Sequence, residues 1–133
     1  MTVNRRRTVS ASDAPQPVGA YSQAVIHNGL VFTAGQIGLD PSTGEMASGA
    51  GAQARRALRS LDAILIEAGS SCGAVLKVTV FLTRMSDFPE INAVFEEFFD
   101  MPYPARSAVA VSELPLGALV EIEAVAGLEE ESC

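Results

Sequence analysis

Ala118-Leu119-Val120-Glu121-Ile122-Glu123-Ala124-Val125-Ala126 alternates from end to end, and its reading sets the architecture. A strand's period of two puts Val120, Ile122, Ala124 and Ala126 on one face, a clean core side. The other face carries Leu119, Glu121, Glu123 and Val125, so two carboxylates point the same way from an otherwise apolar strand. Residues 106–112 read as a preceding strand, joined through Leu114-Pro115-Leu116-Gly117. Folded together as an antiparallel hairpin, the two strands are expected to bring Arg106, which shares a face with Ala108 and Ala110, close to Glu121 and Glu123.

Upstream, Val75 to Leu82 is β-branched and apolar, the pattern of a central strand. Leu76, Val78, Val80 and Leu82 read as its core face. Val75, Lys77, Thr79 and Phe81 form a face too mixed for a core and too apolar for open water, which suits a subunit interface. Residues 51–68 read as a helix: Ala54, Leu58, Leu61, Leu65 and Ala68 make one stripe, and Gly69 is a plausible stop. A second helix begins near Asp87, with Glu90 three residues on in capping-box spacing. Phe88, Ile91, Phe95 and Phe98 form its stripe, and Pro102 and Pro104 bar its continuation. Residues 22–27 run into Asn28-Gly29, a strong hairpin signal, with Leu30 to Ala34 returning. The segment from Asp40 to Gly44 is a turn on composition. With a further short N-terminal strand, the order gives an α/β (α+β) domain: a mixed six-stranded sheet with two helices on one face.

The whole chain, 133 residues with 48% apolar content, is expected to form one domain, residues 1–133. Such a length buries about two thirds of its unfolded surface, enough for a core without metal or disulfide staples. No stretch approaches the roughly 20 apolar residues that span a bilayer. The basic start, Met1 to Arg7, lacks the apolar core of a secretory signal, so a cytoplasmic location is expected. Cys72 and Cys133 fit no zinc spacing and are expected as reduced thiols. The net charge of −7 opposes nucleic-acid binding, which needs a basic footprint. Arg5-Arg6-Arg7 and Glu129-Glu130-Glu131 read as solvated ends.

Much familiar chemistry is missing from the sequence. His27 is the single histidine and flanks the Asn28-Gly29 turn, which leaves little for a zinc or iron site or a Ser-His-Asp triad. No glycine loop matches the phosphate-cradling motifs. What remains is Arg106 with Glu121 and Glu123. A guanidinium fork binds a carboxylate at two points, and a glutamate beside it can position or deprotonate water. The same pattern also fits a structural cross-strand ion pair, and spacing alone leaves both readings open.

The stretch from Tyr103-Pro104-Ala105-Arg106-Ser107 through Glu121-Ile122-Glu123-Ala124 closely resembles the signature of the RidA (YjgF) family of imine deaminases. The likeness extends to Gly19-Ala20-Tyr21-Ser22-Gln23, Ala34-Gly35-Gln36-Ile37, Asp40-Pro41 with Thr43-Gly44-Glu45, Asp87-Phe88 with Asn92, and Leu114-Pro115, in the family's order and spacing. The resemblance implies a chorismate-mutase-like fold and a homotrimer with three clefts between subunits. It implies hydrolysis of reactive 2-imino acids or their enamines, such as 2-iminobutanoate and 2-iminopropanoate, to 2-oxo acids and ammonia, with no metal or organic cofactor. It also implies a functional link to pyridoxal-phosphate-dependent dehydratases, which release such imines. By the same resemblance Arg106 holds the substrate carboxylate and Glu121 activates water, with Glu123 as the second choice. Tyr21, reaching in from a neighbouring subunit, lines the cleft with Gly35, Asn92 and Ala108. Ala20 and Leu116 depart from the family pattern, where proline and a basic residue are common. Other readings are a ribonuclease or translation inhibitor, a non-catalytic carboxylate-binding or chaperone-like module, and a relative devoted to one pathway such as aminoacrylate or aminomuconate deamination.

Overall fold

A computed structural model describes residues 5–128. The acidic run 129–131 and Cys133 lie outside the described residues. The strands are β1 (Arg7–Val9), β2 (Ala24–His27), β3 (Leu30–Thr33), β4 (Gln36–Ile37), β5 (Val75–Leu82), β6 (Ala105–Ala110) and β7 (Val120–Gly127). They form one sheet in the order β1-β2-β3-β7-β5-β6, with β4 pairing to β7 beside β3. Only β5 and β6 are parallel. The helices α1 (Ala50–Ala68) and α2 (Phe88–Phe98) pack on one face, and the core lies between them and the sheet. The sheet thus has seven strands where six were expected. The extra one, β4, is two residues long and too short to show a period.

Asn28 and Gly29 both adopt positive φ, 51° and 77°, the twist that a two-residue hairpin between β2 and β3 requires. Gly69 closes α1 in the left-handed conformation. On β7, Val120, Ile122, Ala124 and Ala126 are buried as the alternation predicts. On β5 the alternation slips once. A bulge between Val75 and Lys77 buries Val75 and leaves Leu76 54% exposed. The expected core face of this strand is therefore corrected at its first two positions and holds from Val78 onward.

Two further expectations are corrected. Asp87 forms no side-chain cap on α2; it pairs with Arg84 at 3.3 Å. Glu90 turns instead to the N-terminus of α1, where Gly51 N–H donates to its carboxylate at 2.5 Å. Helix α1 starts at Gly49 with no side-chain cap, so the acid of α2 supplies the partner that the free N–H groups there need. Cys72, in the turn ahead of β5, is disulfide-bonded and not a reduced thiol. No helix among the described residues is long and apolar enough to cross a membrane.

The connection between β6 and β7 carries the largest topological consequence. The two strands do not form a hairpin, because β5 lies between them, parallel to β6 and antiparallel to β7. Local sequence around Leu114–Gly117 cannot show this. The choice is made by β5, whose apolar strand takes the central place that buries it on both edges.

Candidate active site

Register assigns each candidate side chain to a face. Arg106 pairs with Val78, which pairs with Ala124, and Val78 and Ala124 belong to the buried rung under the helices. Arg106 therefore rises on the helix side, at the outer edge of the sheet. Glu121 pairs with Phe81 and Ile37, and Glu123 with Thr79, on the opposite, helix-free face. The expected proximity of Arg106 to the two glutamates within one chain is corrected. They stand two strand spacings apart across the sheet, about 10 Å, with Glu121 three residues further along and both glutamates on the opposite side. No carboxylate among the described residues pairs with Arg106, which removes the ion-pair reading within one chain.

On the helix side, Arg106 Nη1 donates to Asn92 Oδ1 at 2.8 Å. Its guanidinium carbon lies 4.9 Å from the Phe88 ring centroid and 5.3 Å from that of Phe95. These cation–π contacts and the amide fix a side chain that otherwise samples many rotamers. Beside it opens a cavity of about 360 Å³ bounded by Phe95, Phe99, Glu96 and Tyr103. Ala108 shares this side, two residues along β6, half-buried against the core. Since β6 is an edge strand, Arg106 and Ala108 stand where a second molecule can reach them.

On the open face, Glu121 is half-buried and packed against Gly35. A Cβ built at Gly35 would lie 2.5 Å from Glu121 Oε2 and 2.7 Å from its Cδ, so only glycine permits this approach. Burial first, and then the charge of Glu123, raises the Glu121 carboxyl above its ordinary value of 4.5. A carboxylate shifted this way is a better proton acceptor near neutral pH than an open one. Tyr21 is 51% exposed in a wide groove of about 660 Å³ that also includes Arg6, Phe32 and Ala34. Phe32 pairs with Val125, which shares a face of β7 with Glu121, and Gly35 packs on Glu121, so Tyr21, Gly35 and Glu121 belong to one continuous side of the sheet. Of the candidate residues, the structure gathers Tyr21, Gly35 and Glu121 on this face, and Arg106, Asn92 and Ala108 on the other.

Several supporting residues escaped the sequence. Gln23 is buried and uses its whole amide: Oε1 accepts from Ala11 N–H, and Nε2 donates to Ala11 O at 3.1 Å and Pro15 O at 2.9 Å. Its main-chain carbonyl accepts from Ala34 N–H at 2.8 Å, so it ties the loop bearing Tyr21 to the strand end bearing Gly35. Gln53, buried on α1, accepts from Leu119 N–H at 2.8 Å and donates to Ala47 O at 3.0 Å, which anchors the start of β7 two residues before Glu121. Local sequence marks neither glutamine: Gln53 falls outside the stripe of Ala54, Leu58, Leu61, Leu65 and Ala68, and Gln23 precedes β2. Phe88 and Phe95 were read as core stripe alone, and their contact with Arg106 depends on how α2 docks. Among the described residues no group of three or more His, Cys, Asp or Glu comes together.

The close approach at Gly35 gives a direct expectation. In Gly35→Ala the new methyl must push the far end of Glu121 aside, a movement the fold tolerates at a cost of about 1 kcal/mol. With Glu121 in the water-activating role that the family resemblance implies, a displacement of about 1 Å is expected to lower kcat/KM about a hundredfold. Thermal melting alongside steady-state kinetics checks both halves.

Residues 11–128 match the model of the family described as Endoribonuclease L-PSP. A RutC family protein of Pyrococcus abyssi is 44% identical, over 91% of this chain and 96% of its own length. A human protein named 2-iminobutanoate/2-iminopropanoate deaminase is 43% identical, over 91% of this chain and 89% of its own. The crystal structure of RidA from the Antarctic bacterium Psychrobacter sp. PAMC 21119 superposes with a TM-score of 0.89 at 44% identity, covering 91% of this chain and 98% of that one.

Proposed function

The chain belongs to the Endoribonuclease L-PSP family, which takes in the RidA and YjgF proteins, and from that premise we propose that it deaminates 2-imino acids such as 2-iminobutanoate and 2-iminopropanoate in a site shared between two copies. The observation that carries the reading is the division of the candidate residues between two faces. A three- or four-carbon acid cannot bridge them within one chain. The edge strand of one copy, laid against the open face of the next, brings Arg106 and Asn92 to Tyr21, Gly35 and Glu121. The open face has the composition for this contact: Phe32 and Val109 are each 45% exposed among polar neighbours. Contact between two different patches gives a ring when the rotation closes, and the family resemblance implies a ring of three.

In this site the fork of Arg106 holds the substrate carboxylate. Glu121 takes a proton from water as the oxygen adds to the imine carbon, giving a tetrahedral carbinolamine. It passes that proton to the nitrogen, then moves the hydroxyl proton to the same nitrogen as the C–N bond breaks and the C=O bond forms, leaving a 2-oxo acid and ammonia. Imines hydrolyse readily, so positioning and one proton shuttle suffice. The net charge of −7 speaks against RNA as substrate. His27 lies at the far end of β3 from Gly35, remote from both halves of the site.

The test is a coupled assay in which an amino-acid dehydratase or oxidase generates the imine and semicarbazide traps what survives. Wild type is expected to suppress trapping; Arg106→Ala and Glu121→Ala are not. Mixing the two inactive variants from unfolded chains is expected to restore about a quarter of wild-type activity, the fraction of randomly formed interfaces that join an intact arginine to an intact glutamate. No recovery on mixing, with each variant folded, overturns the shared site. Absence of suppression by wild type overturns the deaminase reading, and RNA cleavage that survives Arg106→Ala favours the ribonuclease reading instead.

A further inference from the structure

Resting on the reading that Arg106 binds the substrate carboxylate, we infer that Glu96 is a positioning residue that acts on Arg106 through Asn92. Helix α2 places Asn92 and Glu96 one turn apart on the same side. Asn92 Nδ2 donates to Glu96 Oε1 at 3.1 Å, and Asn92 Oδ1 accepts from Arg106 Nη1 at 2.8 Å. An ionised glutamate can only accept, and a guanidinium can only donate. The two ends of the relay therefore select the same orientation of the amide between them. With the amide turned over, its NH₂ would meet the guanidinium donors, and its oxygen would meet the carboxylate. Each end would then oppose like with like.

The orientation matters because of what it leaves free. Phe88 and Phe95 hold the guanidinium carbon at 4.9 and 5.3 Å from their centroids. The Asn92 oxygen takes one N–H on the helix side. The remaining donors of the fork have no hydrogen-bond partner among the described residues and border the cavity at the sheet edge, where a carboxylate can engage them. Glu96 does not need to touch the substrate. Its own charge opposes an anionic ligand, so any help it gives to binding comes through the amide it orients.

That opposition makes the inference testable. If Glu96 acts only as a nearby negative charge, Glu96→Ala and Glu96→Gln both strengthen binding of an anion. If it orients Asn92, the alanine loses the acceptor, whereas the glutamine keeps one in Oε1. Glu96→Ala is expected to raise KM for 2-iminobutanoate, and Kd for 2-oxobutanoate measured by calorimetry, about three- to tenfold. Its kcat is expected to stay within about twofold of wild type. Glu96→Gln is expected to restore wild-type KM and Kd or better. The pair sits on an exposed helix surface, so both variants should melt within about 3 °C of wild type. Alanine and glutamine variants that bind alike, or an alanine variant that binds as tightly as wild type, overturn the inference. A wild-type protein that leaves imine trapping unchanged and binds 2-oxobutanoate no better than Arg106→Ala overturns the underlying function as well.

Discussion

Arg106→Ala is expected to raise KM for 2-imino acids by two powers of ten or more while the fold survives. Two charge-assisted hydrogen bonds to a carboxylate contribute about 3–4 kcal/mol together, and alanine offers neither. The side chain lies at the sheet edge and pairs with no acid among the described residues, so its loss strands no buried charge. The phenylalanine rings and the Asn92 oxygen lose one exposed contact each. Arg106→Lys is expected to recover only part of the loss. Lysine keeps the charge but gives up the planar fork and its stacking against Phe88 and Phe95. Steady-state kinetics with 2-iminobutanoate and 2-iminopropanoate, beside binding of the matching 2-oxo acids, separates the affinity term from the chemical one. Unchanged affinity in Arg106→Ala would show that the carboxylate lies elsewhere.

Glu121→Gln is expected to act on the other parameter. A positioned carboxylate that moves a proton contributes about 10²–10⁴-fold, so kcat should fall by that order with KM nearly constant. The same variant should be more stable than wild type above about pH 5. The Glu121 carboxyl is raised, by burial first and by Glu123 second. A raised acid holds its proton longer in the folded chain than in the unfolded one. Stability therefore falls as pH rises from the ordinary value of 4.5 toward the raised one. Glutamine does not ionise and escapes that fall. Melting curves of the two proteins should coincide at pH 4 and separate toward pH 7, with the variant higher. The gain is modest because the group is still partly solvated. A variant less stable at neutral pH, or one with full kcat, removes Glu121 from the proposed role.

The local elements were legible because each is dictated by neighbours in the chain. Alternation located β7, a β-branched apolar run located β5, and a stripe at helical spacing located α1 and α2. Asn28-Gly29 located the β2–β3 turn, since its left-handed pair suits few other residues. The exceptions have local causes that a period cannot carry. Strand β4 is two residues long, the bulge on β5 displaces Leu76, and Glu90 prefers the bare start of α1 to its own helix.

By itself the sequence determined the elements, the two faces of β7 and the identity of the candidate residues, because periodicity and residue chemistry are properties of a few consecutive positions. The tertiary structure alone decided that β5 separates β6 from β7, and hence that Arg106 and Glu121 face opposite ways. Strand order is set by which apolar strand gains most from burial on both sides, a comparison among segments far apart in the chain. That physical choice turns two groups expected to be neighbours within one chain into the two halves of a proposed site between copies.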